Sequence, residues 1–570
     1  MKTILFSIGT YVLGGLLIGG SAEALAADAE NIDQELRSVL ASQGFTGRVE
    51  STLEKRLGRP LDPAKAELGR LLFFDKFVGL HGDNSCAGCH SPLNGFGDSV
   101  SMAIGVENNG FVGPQRAGPR NQRRTPAVVN TAFYPKLMWN GRFSAISGDS
   151  FNNSKGFLFP APEGTTRFPA NDPDFQHLLQ AQAHIPPTEL SEAAGFTNIC
   201  GSADTSSLVQ TKSVGGARLI KEAGSSQVRA IFDPRAGSTV RMFGRPSHQG
   251  DASEPDFCQF DVPAIGRTGV PLPPPLRVAR PDGGFDEFRN EPIRDVVIGR
   301  INANESYRAA FKKAFPELKD DEAITFAMFG QAIAEFEFSV TFMNAPIDRF
   351  ARGQSRAMTD AQKRGAVVFF KNANCVQCHA VAGGSNELFS DFENHVAGIP
   401  QIAPKFGAEL GDVPFRNRKG QFTNDGNQDF GNFDITEEDS DIYKFRTSPL
   451  RNLGIQPAFF HNGSFVSLTD ALRHHLDALG MAKFYDPVAE GVAADLTHNT
   501  GPIAPVLQRI DPALAQPVTL TDAQFADLLA FLRDGLLDER ALPENLAQLI
   551  PTSVPSGLSL HTFESTPPTP

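Results

Sequence analysis

Apolar residues recur at helical spacing in several stretches of the chain, and these stretches predict its main helices. Thr359 has the side chain of a helix N-cap and Asp360 would lie in the first turn, which predicts a helix leading towards residue 375. Another helix is expected to begin near Ser467. The remaining predicted helices cover residues 64–74, 173–179, 293–315 and 321–342.

Turn-forming residues divide these helices into two groups. Residues 195–285 are rich in Gly and Pro and are interpreted as an inserted excursion. Residues 351–355 form a plausible boundary, and the Pro-, Ser- and Thr-rich end is expected to be mobile. With 570 residues the chain exceeds what one core usually spans, so we expect two domains or more. We place an N-terminal domain at 27–350, which contains the excursion, and a C-terminal domain at 351–550, followed by a tail at 551–570.

The first residues have the pattern of a secretory signal. Lys2 precedes an apolar run over residues 4–18, and Ala24-Leu25-Ala26 forms an A-x-A cleavage site. The run is short for a bilayer span, which needs about 20 residues. We therefore expect a signal peptide at 1–26, cleavage after Ala26, a periplasmic mature chain and no stable membrane span.

The composition is that of a globular protein with long loops, and the formal net charge is −13. This charge argues against nucleic acid, which is bound by basic surfaces. It suits an encounter with a basic electron-carrier protein, because opposite charges speed association.

Four of the six cysteines lie in two C-x-x-C-H motifs, and these decide the class of protein. The motifs are Cys86-Ala87-Gly88-Cys89-His90 and Cys375-Val376-Gln377-Cys378-His379. Two thiols at this spacing form thioethers with one haem, and the next His becomes an iron ligand. A zinc site would need four converging Cys or His ligands. We therefore predict two covalently bound c-type haems.

The other two cysteines, Cys200 and Cys258, lie within the excursion. In an oxidising compartment their simplest fate is a disulfide, although sequence does not show whether their geometry permits it.

Several further strings resemble the bacterial di-haem cytochrome c peroxidase family, which includes MauG. The resemblance covers most of residues 60–190 and 290–480. It implies a mainly α fold with two cytochrome c-like helical haem domains, a peroxide-reacting haem in the first and an electron-transfer haem in the second. The strings are Gly82-Asp83-Asn84-Ser85, Arg124-Thr125-Pro126 with Asn130, Met138-Trp139-Asn140-Gly141-Arg142, Phe445-Arg446-Thr447-Ser448-Pro449-Leu450-Arg451-Asn452 and Phe460-His461-Asn462-Gly463-Ser464.

At the first haem, the resemblance suggests an open iron. Many family members have a His sixteen residues after the proximal His that caps the iron, but this position is Val106 here. Val cannot bind iron, so the haem of His90 is expected to be open to peroxide. His81 and His184 are the alternatives for a sixth ligand, and structural roles for both are favoured.

The family's distal pocket has a Gln, a Pro and an acid at a spacing that Gln182, Pro186 and Glu192 reproduce, with Glu189 as the competitor to Glu192. A carboxylate beside an open haem takes a proton from the near oxygen of peroxide and delivers it to the far oxygen. Trp139, the only tryptophan, lies in the motif whose Trp stands between the two haems of this family. Its expected role is therefore an electron relay, with ordinary core packing as the alternative.

At the second haem, the family's sixth ligand aligns with His475, which implies bis-His ligation with His379. His474 and Met481 are the alternatives. His461 resembles a family residue near a haem propionate. Family members often bind calcium through an Asn where this chain has Arg124, whose guanidinium would repel or replace the ion, and calcium is therefore doubtful.

These observations favour a periplasmic di-haem peroxidase that reduces hydrogen peroxide with electrons from a small c-type cytochrome or copper protein. A di-haem oxygenase resembling the rubber oxygenases, or a MauG-like substrate-oxidising enzyme, is the first alternative. A non-enzymatic di-haem electron carrier is the second. One scaffold can host several chemistries, so fold alone does not choose between them.

Overall fold

A computed structural model describes most of the chain outside the excursion. The described residues are 19–79, 82–160, 167–194, 212–214, 217–221, 228–232, 278–279, 285–286, 291–404, 415 and 426–567. Most of the predicted signal peptide, His81, both Cys200 and Cys258 with their predicted pairing, and most of the excursion lie outside these residues.

The described part of the chain is mostly helical, which confirms the predicted class. None of its helices is both long enough and apolar enough to cross a membrane. The α-helices are α1 Gly19–Ser42, α2 Leu53–Leu57, α3 Pro63–Phe74, α4 Cys86–Cys89, α5 Leu178–Gln182, α6 Glu291–Ala303, α7 Glu305–Ala314, α8 Phe326–Ser339, α9 Pro346–Ala351, α10 Asp360–Val367, α11 Phe433–Thr436, α12 Leu468–Leu476, α13 Ala478–Lys483, α14 Ala504–Leu507, α15 Asp522–Ala530 and α16 Pro543–Leu546.

The strands are short and form sheets of two or three members within the described residues. Strands β2, β3 and β4 form one antiparallel sheet and β5, β6 and β7 another, while β8 pairs with β9, β10 with β11, and β1 with β12 in parallel. Their bounds are β1 Phe111–Val112, β2 Lys136–Leu137, β3 Phe143–Ala145, β4 Phe157–Leu158, β5 Lys212–Val214, β6 Ala217–Lys221, β7 Val228–Phe232, β8 Val278–Ala279, β9 Phe285–Asp286, β10 Asn394–His395, β11 Phe445–Arg446 and β12 Thr562–Phe563.

Side-chain caps decide where the predicted helices begin. Asp62 accepts hydrogen bonds from the first backbone N–H groups of α3, and Thr359 caps α10 as predicted. The stretch 293–315 is split into α6 and α7 because Asn304 caps the second helix. The prediction for 173–179 is wrong over most of its length, because His177 accepts a hydrogen bond from the backbone of Leu179 and the helix starts only at Leu178.

Each C-x-x-C-H motif is preceded by a helix that crosses a later helix at a glycine. A Cβ atom on Gly69 of α3 would overlap the carbonyl oxygen of Ala332 in α8. A Cβ atom on Gly365 of α10 would likewise overlap the carbonyl oxygen of Asp527 in α15. Both pairs therefore approach at backbone contact, which only a residue without a side chain permits.

The two helix pairs are also similar one turn beyond each glycine, where a phenyl ring of the first helix packs against a phenyl ring of the later one. Phe73 lies 5.2 Å from Phe336, and Phe369 lies 5.6 Å from Phe531, measured between ring centroids. The chain therefore contains two equivalent helical units, one around each motif.

The ends of the chain cross between the units. Buried side chains of α1, including Leu36 and Leu40, share a hydrophobic core with Phe369 of the second unit. The segment for which the sequence predicted a mobile tail is described to residue 567, and it lies against the first unit. There Ser556 donates a hydrogen bond of 2.7 Å to Asp75, and β12 pairs with β1.

The glycine crossings predict large effects of small substitutions. Gly69→Ala and Gly365→Ala would each force two helix backbones apart, and the free energy of unfolding should fall by about 1–3 kcal/mol. Gly384→Ala is the matched control, because its Cβ would meet no atom within 4 Å and its φ is not positive. Its effect should stay within about 0.5 kcal/mol. Urea unfolding of the haem-loaded proteins measures both, and equal midpoints for Gly69→Ala and Gly384→Ala would contradict the prediction.

Candidate functional site

The first C-x-x-C-H motif forms a short helical turn, α4, followed by His90. The His90 Nδ1–H donates a hydrogen bond of 3.0 Å to the carbonyl of Phe96, and its ring lies 6.1 Å from the ring of Phe73. This bond fixes the tautomer and leaves Nε2 free to bind a metal, as is usual for metal-ligating histidines. The Nε2 atom of His90 is thus available to bind a metal ion.

The second motif repeats this arrangement. The His379 Nδ1–H donates a hydrogen bond of 2.9 Å to the carbonyl of Phe389, and its ring lies 6.5 Å from Phe369. Each motif histidine therefore donates to a phenylalanine carbonyl, of Phe96 or Phe389, and lies beside a phenyl ring, of Phe73 or Phe369.

A second imidazole faces His379. Ser467 caps α12, and this helix carries His475 to a ring-centroid distance of 6.1 Å from His379. Its Nδ1–H donates a hydrogen bond of 2.9 Å to Ala471, which again leaves Nε2 free. With metal–nitrogen bonds of about 2 Å, two imidazoles on opposite sides of one ion have centroids about 6 Å apart. The pair therefore fits a haem iron between two histidines.

The two alternatives to His475 are placed differently. His474 points its Nε2–H at the carbonyl of Ala397, at 2.9 Å, and is buried. Met481 packs in a separate apolar cluster with Phe459 and Phe465. Neither is in ring or side-chain contact with His379 among the contacts of the described residues.

His461 is buried beside an ion pair. Its ring stacks on Phe445 with a centroid distance of 3.6 Å, and its Nε2 lies 3.8 Å from Asp429 Oδ2. Arg123 binds the same carboxylate with bonds of 2.7 and 2.6 Å. Burial lowers the pKa of His461 to about 4, so the imidazole is neutral.

One cavity brings together the first motif and most of the residues that the sequence singled out. It encloses about 230 Å³, and the residues that the sequence predicts for the distal pocket line it. Among the lining residues are Cys86, Cys89, His90, Trp139, Arg142, Gln182, Pro186, Glu189, Glu192 and Glu337.

Two of the cavity carboxyl groups differ in their electrostatics. Glu189 forms a buried ion pair with Arg142. Burial, together with the nearby charge of Glu189, raises the pKa of Glu192 to about 8. Glu192 therefore holds a proton at neutral pH and can exchange it near neutrality, whereas Glu189 is tied to a guanidinium.

Sequence reasoning missed a third acid in the cavity, Glu337. It is 5% exposed, and its Oε2 has no hydrogen-bond partner among the described residues. Burial raises its pKa to about 8. The signal was present, because Phe329, Ile333 and Glu337 follow each other at four-residue spacing on the inner face of α8 and all line the cavity.

His184, the alternative sixth ligand that the structure describes, and Val106 are both absent from the lining of this cavity. His184 is buried among Phe168, Phe175 and Phe326, and its Nδ1–H donates to the carbonyl of Gln180. Val106 packs in the core of the first unit, where its backbone N–H donates to Ser191.

Trp139 is held by residues from both units. Its indole Nε1–H donates a hydrogen bond of 2.6 Å to the carbonyl of Arg124. Its own carbonyl accepts a bond of 2.7 Å from the backbone N–H of Arg446, a residue of the second motif-bearing half. The preceding residue, Met138, has a φ of 66°, which turns the chain sharply at this point.

Several known proteins are similar in sequence to this chain. A family model described as "Di-haem cytochrome c peroxidase" matches residues 63–211 and 284–356. The chain is 23% identical to the methylamine utilization protein MauG of Methylophilus methylotrophus, over 74% of each chain. It is 20% identical to the cytochrome-c peroxidase IdrP2 of Pseudomonas sp. (strain SCT), over 76% of this chain and 80% of that protein.

Among solved structures, a MauG-like protein associated with microbial copper homeostasis is 19% identical to this chain. The two align over 85% of this chain and 92% of that one, with a TM-score of 0.45.

Adjacent histidines on α12 give a matched test of the second iron site. His475→Ala should remove the low-spin EPR signal of a bis-imidazole haem from the oxidised protein, because its Nε2 faces His379. His474→Ala should keep that signal, because His474 donates to Ala397 instead. Loss of the signal in His474→Ala with retention in His475→Ala would reverse the assignment.

Proposed function

The chain belongs to the di-haem cytochrome c peroxidase and MauG superfamily, and on that premise we propose that it is a periplasmic peroxidase that reduces hydrogen peroxide to water. Relatives named cytochrome-c peroxidases make the family an enzymatic one, of oxidoreductases. The observation that carries the proposal is the inequality of two otherwise equivalent units. His379 faces a second imidazole, while His90 opens on a cavity that contains protonatable acids.

The four motif cysteines, Cys86, Cys89, Cys375 and Cys378, would attach one haem in each unit, with His90, His379 and His475 as iron ligands. When bound, the haems supply the redox chemistry. Burial lowers the pKa of His379 to about 4, with His475 adding to the effect, so the imidazole is in the neutral form that binds iron.

Glu192 is proposed as the acid–base group. It would accept the proton from the near oxygen of peroxide and return it to the far oxygen, so that one water leaves; two electrons and two further protons complete the formation of two waters. Gln182 and Pro186 line the same cavity and would confine the peroxide beside it. Glu189, bound by Arg142, would keep a fixed negative charge next to Glu192.

Electrons are proposed to enter through the His379 and His475 unit and to pass Trp139 on the way to the first unit. Trp139 supports this role because it lines the cavity of His90 and is bonded to Arg446 of the other half. The donor would be a small c-type cytochrome or copper protein with a basic face, to match the net charge of −13. His461, neutral and buried, would lie near a propionate of a haem.

Two further parts of the proposal concern location and calcium. Export to the periplasm rests on the apolar run at 4–18 and the A-x-A site before residue 27. Calcium is not included as a cofactor. The guanidinium of Arg124 lies between the halves and already donates to the carbonyl oxygens there.

The test of function compares three activities of the haem-loaded protein. Oxidation of a reduced small c-type cytochrome by hydrogen peroxide, without oxygen consumption, is the expected result. Oxygen uptake with polyisoprene and no peroxide turnover would show an oxygenase instead. Modification of a partner protein would show a MauG-like enzyme. The absence of all three activities, with both irons six-coordinate, would show an electron carrier.

The raised pKa of Glu192 predicts a pH dependence. If the ionised carboxylate takes the proton from peroxide, the rate with peroxide should rise with pH through a midpoint of about 8. Glu192→Gln should lower this rate by about a hundredfold or more and abolish the midpoint. Glu189→Gln should move the midpoint to lower pH, because it removes a negative charge that favours protonation of Glu192. A midpoint unaffected by both substitutions would assign the proton transfer to another group, with Glu337 as the next candidate.

A further inference from the structure

Arg124 is a buried cation that bonds to both halves of the molecule. It is 3% exposed, and its guanidinium donates to the carbonyls of Val100, at 2.7 Å, and Asp98, at 3.0 Å. It also donates to the side-chain oxygen of Gln456, at 2.9 Å. Val100 and Asp98 follow the first C-x-x-C-H motif, whereas Gln456 follows the second.

The partners of this guanidinium are neutral oxygens. No carboxylate oxygen lies within ion-pair distance of Arg124 among the described residues, and the carboxylate of Asp98 instead accepts backbone bonds from Val100 and Thr125. Burial lowers the pKa of Arg124 to about 10, which still leaves it charged at neutral pH. The nearby charge of Asp98 partly offsets the cost of burying Arg124, and the neutral oxygens that accept its N–H groups fix its position.

The backbone of Arg124 is bonded as firmly as its side chain. Its N–H donates to the carbonyl of His461, at 2.7 Å, and its carbonyl accepts the indole N–H of Trp139, at 2.6 Å. The Trp139 indole is therefore hydrogen-bonded to the carbonyl of Arg124, a residue that is itself bonded to both halves. The carbonyl of the neighbouring Arg123 does not bind the Trp139 indole, because it accepts the backbone N–H of Ala103 instead.

We propose that Arg124 is the positioning residue of the path between the two haems, an internal cation that fixes the Trp139 indole relative to both units. This inference rests on the relay role of Trp139 proposed above. The planar fork of a guanidinium can donate to several acceptors at fixed angles, and neither Lys nor Gln reproduces it. A displacement of about 1 Å can cost about a hundredfold in rate where geometry controls a reaction.

A buried arginine elsewhere provides the matched control. Arg120 also spans the halves, because it donates to the carbonyl of Met102, at 2.9 Å, and forms an ion pair with Asp495. It makes no hydrogen bond with Trp139. Arg120→Gln should therefore weaken the joint between the halves without moving the indole.

The experiment uses the haem-loaded variants Arg124→Gln, Arg120→Gln and Trp139→Phe. A double variant combines Arg124→Gln with Trp139→Phe. Because Trp139 is the only tryptophan, ultraviolet resonance Raman spectra report on its indole hydrogen bond alone. Flash reduction of one haem then gives the rate of electron transfer to the other, and urea unfolding gives stability. If Arg124→Gln does not accumulate with both haems, Arg124→Lys takes its place.

Arg124→Gln is expected to shift the indole band and to slow transfer by about tenfold or more, with the double variant no slower than Trp139→Phe. Arg120→Gln should lower the unfolding midpoint and leave both the band and the transfer rate unchanged. A wild-type rate in Arg124→Gln beside a slow Trp139→Phe would overturn the inference, as would equal slowing in Arg124→Gln and Arg120→Gln. A wild-type rate in Trp139→Phe would overturn the relay itself, while the Raman band would still test whether Arg124 holds the indole.

Discussion

The backbone contact of two helices at a single glycine is the constraint on which each unit depends. Gly69 and Gly365 let α3 and α10 approach α8 and α15 closely, and the phenyl rings of Phe73 and Phe369 then occupy the space one turn beyond. Each ring packs against an imidazole of a C-x-x-C-H motif. The crossing therefore fixes the orientation of the histidine as well as the fold around it, because interiors packed at this density leave little room for adjustment.

On this common frame the two units present different groups to their histidines. The second unit presents another imidazole, and the two rings are spaced for one metal ion between them. The first unit presents a cavity with the carboxyl groups of Glu189, Glu192 and Glu337. Burying carboxyl groups costs free energy, and groups with shifted pKa values cluster at functional sites. This free-energy cost has a functional reason if the carboxyl groups of the cavity transfer protons and the imidazole pair holds an iron that transfers electrons.

Arginines join the two units. Arg123 forms an ion pair with Asp429 of the second half, with bonds of 2.7 and 2.6 Å, and Arg120 forms one with Asp495 of the same half. Arg124 differs from these because it binds only neutral oxygens. The crossed ends of the chain add to the joint, since α1 packs on the second unit and the last strand on the first. Such a joint would suit the electron transfer proposed above, because the path between the cofactors would then keep a fixed length.

The sequence by itself determined what is local. The two C-x-x-C-H motifs, the capped start of α10, and the helix that carries His475 could be predicted because each depends on neighbouring residues. The resemblance to the di-haem peroxidase family also picked out Gln182, Pro186 and Glu192, which the structure gathers around one cavity. The helix at 173–179 was misplaced because the side chain of His177 caps the backbone and begins the helix later, which apolar periodicity does not reveal.

Only the tertiary structure decided which distant groups meet. It distinguished Glu192 from Glu189, because their protonation depends on burial and on Arg142, not on spacing. It placed Glu337 in the cavity through the crossing of α8, and it showed that His475 and not His474 faces His379. It also joined Arg124 to Gln456 and Trp139, three residues far apart in the chain. Contacts of this kind arise from packing across the whole fold, so no local pattern contains them.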